Sequence, residues 1–297
     1  MALDNWDEIR TAYQVARRGT VSGAAEVLGV HHATVIRHID ALETRLGVKL
    51  FQRHARGYTA TEAGTDLLGV AQATDDQFSQ LVSRIRGRGE TVSGELVVTS
   101  LPGIAPMLTP VLADFQREHP EVIVRYLTDM RVFRLEYGEA HVAVRAGNVP
   151  QEPDNVVQPF YRQDSALYGH RDYVAKHGGA DNDADLLKHY FVGADREDSR
   201  APYDIWMREN IPRAQVIYRV AGLEAQHCAV LQGVGLGFLP IWYAREHDDL
   251  VEVMPARDEW SAPSWLVTHV DLHRTPKVQT FLTYLKERAK DWPCAGS

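Results

Sequence analysis

The sequence predicts an α + α/β protein: a small helical N-terminal head, one long linker helix, and a larger α/β body in two lobes. Three observations predict it. Between Trp6 and Gly47, apolar residues recur at three- and four-residue steps broken by glycines, the mark of short packed helices. From Thr61 to about Arg86, the residues Leu67, Ala71, Thr74, Phe78, Leu81 and Ile85 are spaced 4, 3, 4, 3 and 4 apart, a narrow seam along one helix. From Gly94 onward, short apolar strands alternate with helical segments, which implies open sheets with covered faces.

The 297 residues are enough for two or three domains at roughly 100–150 residues each. No apolar run approaches the roughly 20 residues that span a bilayer, so no membrane partner is expected. The opening "MALDNWDEIR" lacks the basic start and apolar core of a secretory signal. Cys228 and Cys294 match no metal or redox spacing, and a reducing, cytoplasmic home is expected. The net charge of −8 argues by itself against nucleic acid, but it is unevenly spread. Residues 17–56 hold seven Lys/Arg against three Asp/Glu, whereas residues 91–297 hold 21 against 29. A basic head on an acidic body is the consequence.

In the head, Trp6, Ile9, Tyr13 and Ala16 mark a first amphipathic helix that stops at Gly19. Ser22 is a candidate cap for a second helix over 23–28, broken by Gly29. A third begins near His31, buries Val35, Ile39, Leu42 and Leu46, and closes at Gly47. "VKLFQRHARGYTAT" alternates around a glycine and predicts a hairpin, after which Thr61 caps the long helix. That helix either supplies a coiled-coil dimer seam through Leu67, Ala71, Phe78, Leu81 and Ile85 or lies on its own domain's core. "RGRGETVSG" is a polar hinge. In the body the strands are "GELVVTS", "EVIVRYL", "AHVAVRAG", "SALYG", "YFVGA", "AQVIYRV" and "GLGFLP", with helices over 104–119, 132–137, 223–232 and 275–291. The chain is expected to cross between lobes near residues 160 and 270.

Residues 24–39 have the makings of a helix-turn-helix. Ala24 and Ala25 let helices approach closely, Gly29 permits the turn, and Val30 and Val35 lock the pair together. The second helix then presents His32, Ala33, Thr34 and Arg37 outward, its N-terminal end placed to enter a major groove. Arg37 can make a bidentate pair with guanine, and the methyl of Thr34 can touch thymine. His31 and His32 each bring a ring nitrogen to a base edge or phosphate. A zinc site is disfavoured, because adjacent helical side chains diverge and no third ligand is placed. A plain solvated surface stays open for His31.

With these residues in place, residues 6–64 resemble the winged helix-turn-helix of the LysR-type transcriptional regulators. The shared pattern is carried by "GTVSGAAEVLGV", "ATVIRHIDALETRLGVKLFQR" and "TEAG". It continues at lower specificity through "VLADFQREHPEV", "VAVRAG" and "CAVLQGVGLGFLP", so nearly the whole chain is covered. The resemblance implies a winged helix-turn-helix over residues 1–60 and a linker and dimerisation helix with hinge over 61–90. It implies a two-lobed periplasmic-binding-protein-like effector domain over 91–297, with lobe I at about 91–160 and 270–297 and lobe II at about 161–269. Arg53, Arg56 and Tyr58 fall in the family's wing, where they contact phosphate or the minor groove unless they are ordinary surface. One departure concerns specificity. His31-His32 stand where family members usually carry Ser-Gln, and Ile36 where a serine is frequent.

The resemblance also implies a small molecule held in the cleft between the lobes. "TSLPG" ends a strand and opens a helix, so Ser100, Pro102 and nearby amides can receive an anionic group. Thr128 and Arg145 end the next two strands, and Gly222 and Leu223 open a helix in the other lobe, the convergence at which open α/β sheets bind ligands. Arg145 suits either a carboxylate or a structural ion pair. "GVGLG" at 233–237 mimics a dinucleotide fingerprint but follows a helix and precedes a strand, the wrong order. No catalytic constellation, cofactor or metal site is expected. The reading is a promoter-binding regulator governed by a small effector, a homodimer that, as the resemblance implies, forms a dimer of dimers, with RNA polymerase as a further partner. The rival is a receptor or enzyme on the binding-protein fold whose head serves assembly alone. His32→Ala is expected to change the preferred duplex, since a lost base contact costs about 1–3 kcal/mol. Selection from a randomised duplex library measures this, and an unaltered consensus would remove His32 from the base readers.

Overall fold

The computed structural model describes residues 5–54, 57–85 and 92–292. The head comprises α1 (Trp6–Arg18), α2 (Val21–Leu28) and α3 (His32–Leu46), followed by the hairpin β1 (Phe51–His54) and β2 (Gly57–Ala60). Gly19, Gly29 and Gly47 end the three helices at φ 69°, 65° and 70°, a left-handed conformation that costs glycine least. The second helix starts two residues earlier than the sequence suggests. Thr20, not Ser22, is its cap, and the Thr20 hydroxyl accepts from the Gly23 amide at 3.1 Å. Val35, Ile39 and Leu42 of α3 pack against Ala12, Val15 and Ala24, as the helical spacing requires.

The head is braced by one buried acid. Glu43, near the end of α3, accepts from the amides of Leu50 (2.9 Å) and Phe51 (3.2 Å), from Lys49 Nζ (2.7 Å) and from Arg53 (3.3 Å). Burial pushes its carboxyl up, but the bonds from Lys49, Leu50 and Phe51 outweigh burial and hold it below its ordinary value of 4.5. A second buried acid, Glu8 of α1, pairs with Arg45 of α3 at 2.9 Å.

The long helix α4 (Glu62–Ile85) starts where expected: the Thr61 hydroxyl accepts from the Gly64 amide at 3.2 Å and donates to the Lys49 carbonyl at 2.7 Å. A Cβ on Gly64 would lie 2.1 Å from the Leu50 carbonyl oxygen, which explains the glycine of "TEAG". Ala63 and Leu67 pack on the head's core. Arg17 of α1 pairs with Glu95, so the head also touches the body.

The body begins with β3 (Gly94–Ser100), a 3₁₀ turn (Pro102–Ile104), α5 (Ala105–Glu118), β4 (Val122–Thr128), β5 (Val142–Ala146) and β6 (Asn155–Gln163). It continues through β7 (Ser165–His170), α6 (Arg171–His177), α7 (Asp183–Leu186), β8 (Phe191–Ala194), α8 (Pro202–Asn210) and β9 (Val216–Val220). Then follow α9 (Leu223–Leu231), β10 (Gly237–Pro240), α10 (Ile241–Ala244), β11 (Leu250–Met254), β12 (Ala262–His269), α11 (Val270–His273) and α12 (Pro276–Ala289). Lobe I is a five-stranded sheet of order β4-β3-β5-β12-β6, with β4, β3 and β5 parallel and β12 antiparallel to both neighbours. Helices α5 and α12 cover one face, with Phe115 and Phe281 edge to face at 5.2 Å. Lobe II carries the antiparallel set β10-β7-β11 and the parallel pair β8-β9 around Trp206, Phe238 and Trp260.

Three expectations are corrected here. Strand β12 belongs to the sheet of lobe I, so the return crossing falls between β11 and β12 rather than near residue 270. Strands β6, β11 and β12 were not foreseen. Pro159 lies on the edge strand β6 and Pro263 of β12 at a register shift, places where a missing amide is tolerated. The segment 132–137 forms only the 3₁₀ turn Leu135–Tyr137.

Glu43→Ala is expected to cost the head about 3 kcal/mol, because the Leu50 and Phe51 amides lose their buried acceptor. Its folded carboxyl lies below 4.5, so its contribution is complete above that pH and is lost as pH falls through the depressed value. Calorimetry of the wild type and variant against pH should show their difference shrinking on the acid side. A constant difference would rule out the charged form as the stabilising species.

Candidate DNA-reading surface and interlobe cleft

The N-terminal turn of α3 stands on the outside of the head. His31 is its extended N-cap residue, and the side chains of His31, His32, Ala33 and Arg37 are exposed, with Thr34 half-buried. Val35 and Ile39 point the other way into the core, which fixes the helix's rotation and hence what it shows to solvent. Arg37 makes no ion pair among the described residues, whereas Arg17, Arg45 and Arg53 all do. Ser22 and Glu26 of α2 share an open concavity with His31 and His32. Spacing within α3 could not nominate them, because the packing of α2 on α3 brings them there.

The hairpin is tied down. The Tyr58 amide donates to the Gly19 carbonyl at 2.8 Å, and Phe51 and Tyr58 pack at 5.9 Å between ring centres. Arg53 pairs with Asp40 and Glu43 of α3 and lies 5.4 Å from the centre of the Tyr58 ring. Its guanidinium thus braces the hairpin against α3. The hydrogen bond that Arg53 donates to Asp40 holds its guanidinium further above its ordinary value. Arg56 lies outside the described residues.

Along α4 the sequence-derived seam divides. Leu67 faces the head's core, and Ala71 is half-buried. Phe78 is 52% exposed and meets Trp6, itself 60% exposed, edge to face at 6.2 Å; Val70 is 67% exposed. The side chains of Leu81 and Ile85 fall outside the described set.

In the body the parallel register aligns Ser100 of β3 with Thr128 of β4 and Val144 of β5, so the three strand ends form one rim. Ser100 is buried. Its Oγ donates to the Leu101 carbonyl at 2.9 Å and lies 2.6 Å from the Tyr126 hydroxyl. With the Ser100 hydroxyl proton given to Leu101, the Tyr126 hydroxyl is the donor to Ser100, and burial pushes its phenol up from its ordinary value against the smaller pull of Ser100. Thr128 and Pro102 are exposed. Arg145 is committed to structure: Nη1 reaches Glu152 at 2.9 Å and Nη2 reaches the Phe133 carbonyl at 2.9 Å. These are the contacts of its ion-pair reading.

Lobe II meets this rim through Gly222 and Leu223 at the start of α9. A Cβ on Gly103 would lie 2.6 Å from Leu223 Cδ1, so the turn after β3 and the first turn of α9 touch across the cleft. Trp242 of α10 is buried in the core of lobe I and pins the lobes from behind. His227 of α9 stacks on Tyr243 at 4.1 Å, and burial drives its pKa down to about 4. The sequence reading passed over both residues, because only the contact between lobes makes them notable. Among the described residues, no cluster of His, Cys, Asp and Glu is disposed to hold a metal ion, and no helix is long and apolar enough to cross a membrane.

Comparison with known proteins agrees with this division. Residues 6–65 match the bacterial regulatory helix-turn-helix protein family of LysR type, and residues 89–290 match the LysR substrate binding domain. The chain is similar to an HTH-type transcriptional repressor of Pseudomonas aeruginosa, at 26% identity over 96% of this chain and 92% of that protein. It is 30% identical to the HTH-type transcriptional regulator IlvY of Escherichia coli, over 78% of this chain and 80% of that one. Its fold matches ArgP from Mycobacterium tuberculosis with a TM-score of 0.74 at 19% identity, over 98% of each chain. A helix-turn-helix head whose reading helix is exposed, joined to a two-lobed substrate-binding body, makes this chain a member of the LysR family, a DNA-binding transcriptional regulator and not an enzyme.

Proposed function

We propose that the exposed first turn of α3 reads promoter DNA from the major groove, with Arg37 and His32 on base edges and His31, Ala33 and Thr34 along the same face. The observation that carries this reading is Arg37, exposed at the open face of α3 and without an ion pair among the described residues, whereas Arg45, the other arginine of α3, is paired with Glu8. Tyr58 and Arg56 belong to a wing lying against phosphate or the minor groove. Arg53 holds that wing to α3 first and meets phosphate second.

The exposed Trp6, Val70 and Phe78 support pairing of α4 with a second copy, with Ala71, Leu81 and Ile85 continuing the seam and Leu67 serving the head. Two heads then read the half-sites of an interrupted palindrome, and a dimer of dimers forms through the bodies. An effector settles on Ser100, Pro102, Thr128 and the amides at Gly222 and Leu223. It favours one arrangement of the lobes by binding it more tightly than the other, which changes the spacing of the heads and the contact with RNA polymerase. Such a protein works in the cytoplasm, on the nucleoid.

Arg37→Ala is expected to weaken operator binding about tenfold to a hundredfold, as loss of a bidentate guanine contact does. Duplex titration at several salt concentrations measures it, and unchanged affinity would sink the assignment. Arg53→Ala should lower the melting point of the head as well as its DNA affinity; a pure affinity loss at unchanged stability would return Arg53 to a simple phosphate contact. Gly103→Val should prise the cleft apart at Leu223. Faster hydrogen exchange in the first turn of α9 is the expected readout, and unaltered exchange would show that the contact holds nothing.

A further inference from the structure

Lobe II contains a small cavity that the regulator reading does not use. It has a volume of about 80 Å³ and lies under α8, between the end of β8 and the start of β9. Ala194, Met207, Ile211 and Val216 form its apolar lining, and Arg196, Arg208 and Arg213 line it together with Glu197. None of Ser100, Thr128 or Leu223 lines it, so it is separate from the interlobe cleft.

Asp204 of α8, one turn before Arg208, lines the cavity with a carboxylate that is half satisfied. Its Oδ2 accepts from the Ser199 hydroxyl at 2.6 Å, while its Oδ1 is buried with no donor among the described residues. Burial raises its carboxyl pKa, against weaker opposition from Ser199 and Arg208. The arginines differ in how far they are engaged. Arg196 is held by Asp198 through bonds of 2.9 and 2.8 Å, and Arg213 stands 3.9 Å from Glu197. Arg208 makes a 3.5 Å contact with the Ser199 carbonyl and no ion pair among the described residues.

We propose that this cavity binds a small oxyanion that still carries a proton, the chemistry shared by hydrogen phosphate and a short α-hydroxy carboxylate. Its ionised oxygens face Arg208 and Arg213, and its O–H donates to Asp204 Oδ1. A fully ionised oxyanion would set lone pairs against that carboxylate, and a cation would face the arginines. Only an anion with a donor answers both, a selection made by repulsion as much as by attraction. The space is small beside that of an ordinary ligand pocket, so a compact ion suits it. Strand β9 runs from the cavity at Val216 to Val220, two residues before Gly222 at the cleft, so an ion held here stiffens the segment that presents α9.

Calorimetric titration of the full-length protein tests this with phosphate, sulfate, glycolate and acetate at constant ionic strength. Mildly alkaline pH leaves Asp204 ionised while phosphate keeps one proton. Phosphate should bind at least about tenfold tighter than sulfate, or glycolate than acetate, and whichever pair discriminates tells an inorganic from an organic ligand. Asp204→Asn, which keeps the shape and adds a donor, should erase the discrimination, and Arg208→Ala should weaken binding at least about tenfold. Equal affinity within both pairs, or no binding, overturns the proposal. So does binding that Arg208→Ala leaves unchanged, and if Ser100→Ala abolishes that binding the ion belongs to the cleft instead.

Discussion

The carboxylate of Glu43 sits behind the reading helix and collects four donors from the segment that follows it. Two of those donors are backbone amides at the entry to the hairpin, and two are the side chains of Lys49 just before it and Arg53 within its first strand. A buried charge is tolerable only when it is surrounded in this way, so the acid leaves the chain after α3 little choice of path. Thr61 then ties the exit of the hairpin back to Lys49, and Gly64 lets α4 lie directly on Leu50. Helix, hairpin and linker are thereby one rigid piece. Wherever α4 is carried, the exposed face of α3 goes with it.

That rigidity gives the body something to move. Its two lobes are joined by strands that cross twice, by Trp242 buried in the neighbouring lobe, and by the contact of Gly103 with Leu223. The first two are permanent packing. The third is a van der Waals contact between a turn and the end of a flexible side chain, at the place where strand ends and helix starts converge. In the mechanism proposed above, a ligand seated there exchanges this apolar contact for hydrogen bonds, the kind of difference that shifts an equilibrium between lobe arrangements. Ser100 is held by Tyr126, while Arg145 shapes the rim through Glu152 and Phe133.

Much of the head was legible in the residues alone. Apolar spacing located its helices, glycines located their ends, and alternation around Gly57 located the hairpin, because each of these signals is local. The body was harder to read. Strands β6 and β12 carry prolines that are acceptable only at an edge or a register shift, and neither condition is visible before the strands are paired. The dual reading of Arg145 likewise had to wait for Glu152, seven residues on, to be folded back against it. Leu67 changed allegiance for the same reason: its spacing fits a dimer seam, but the head's core is nearer.

By itself the sequence determined what local physics determines: which segments are helices, where they stop, that the head is basic, and that a helix-turn-helix precedes an α/β body. Tertiary structure alone decided which arginines remain free, which lobe β12 joins, and which helix starts face each other across the cleft. It also decided that Asp204 is buried one bond short, beside arginines from three separate segments. These outcomes depend on contacts between residues far apart in the chain, where the spacing of side chains carries no information until packing has chosen their neighbours.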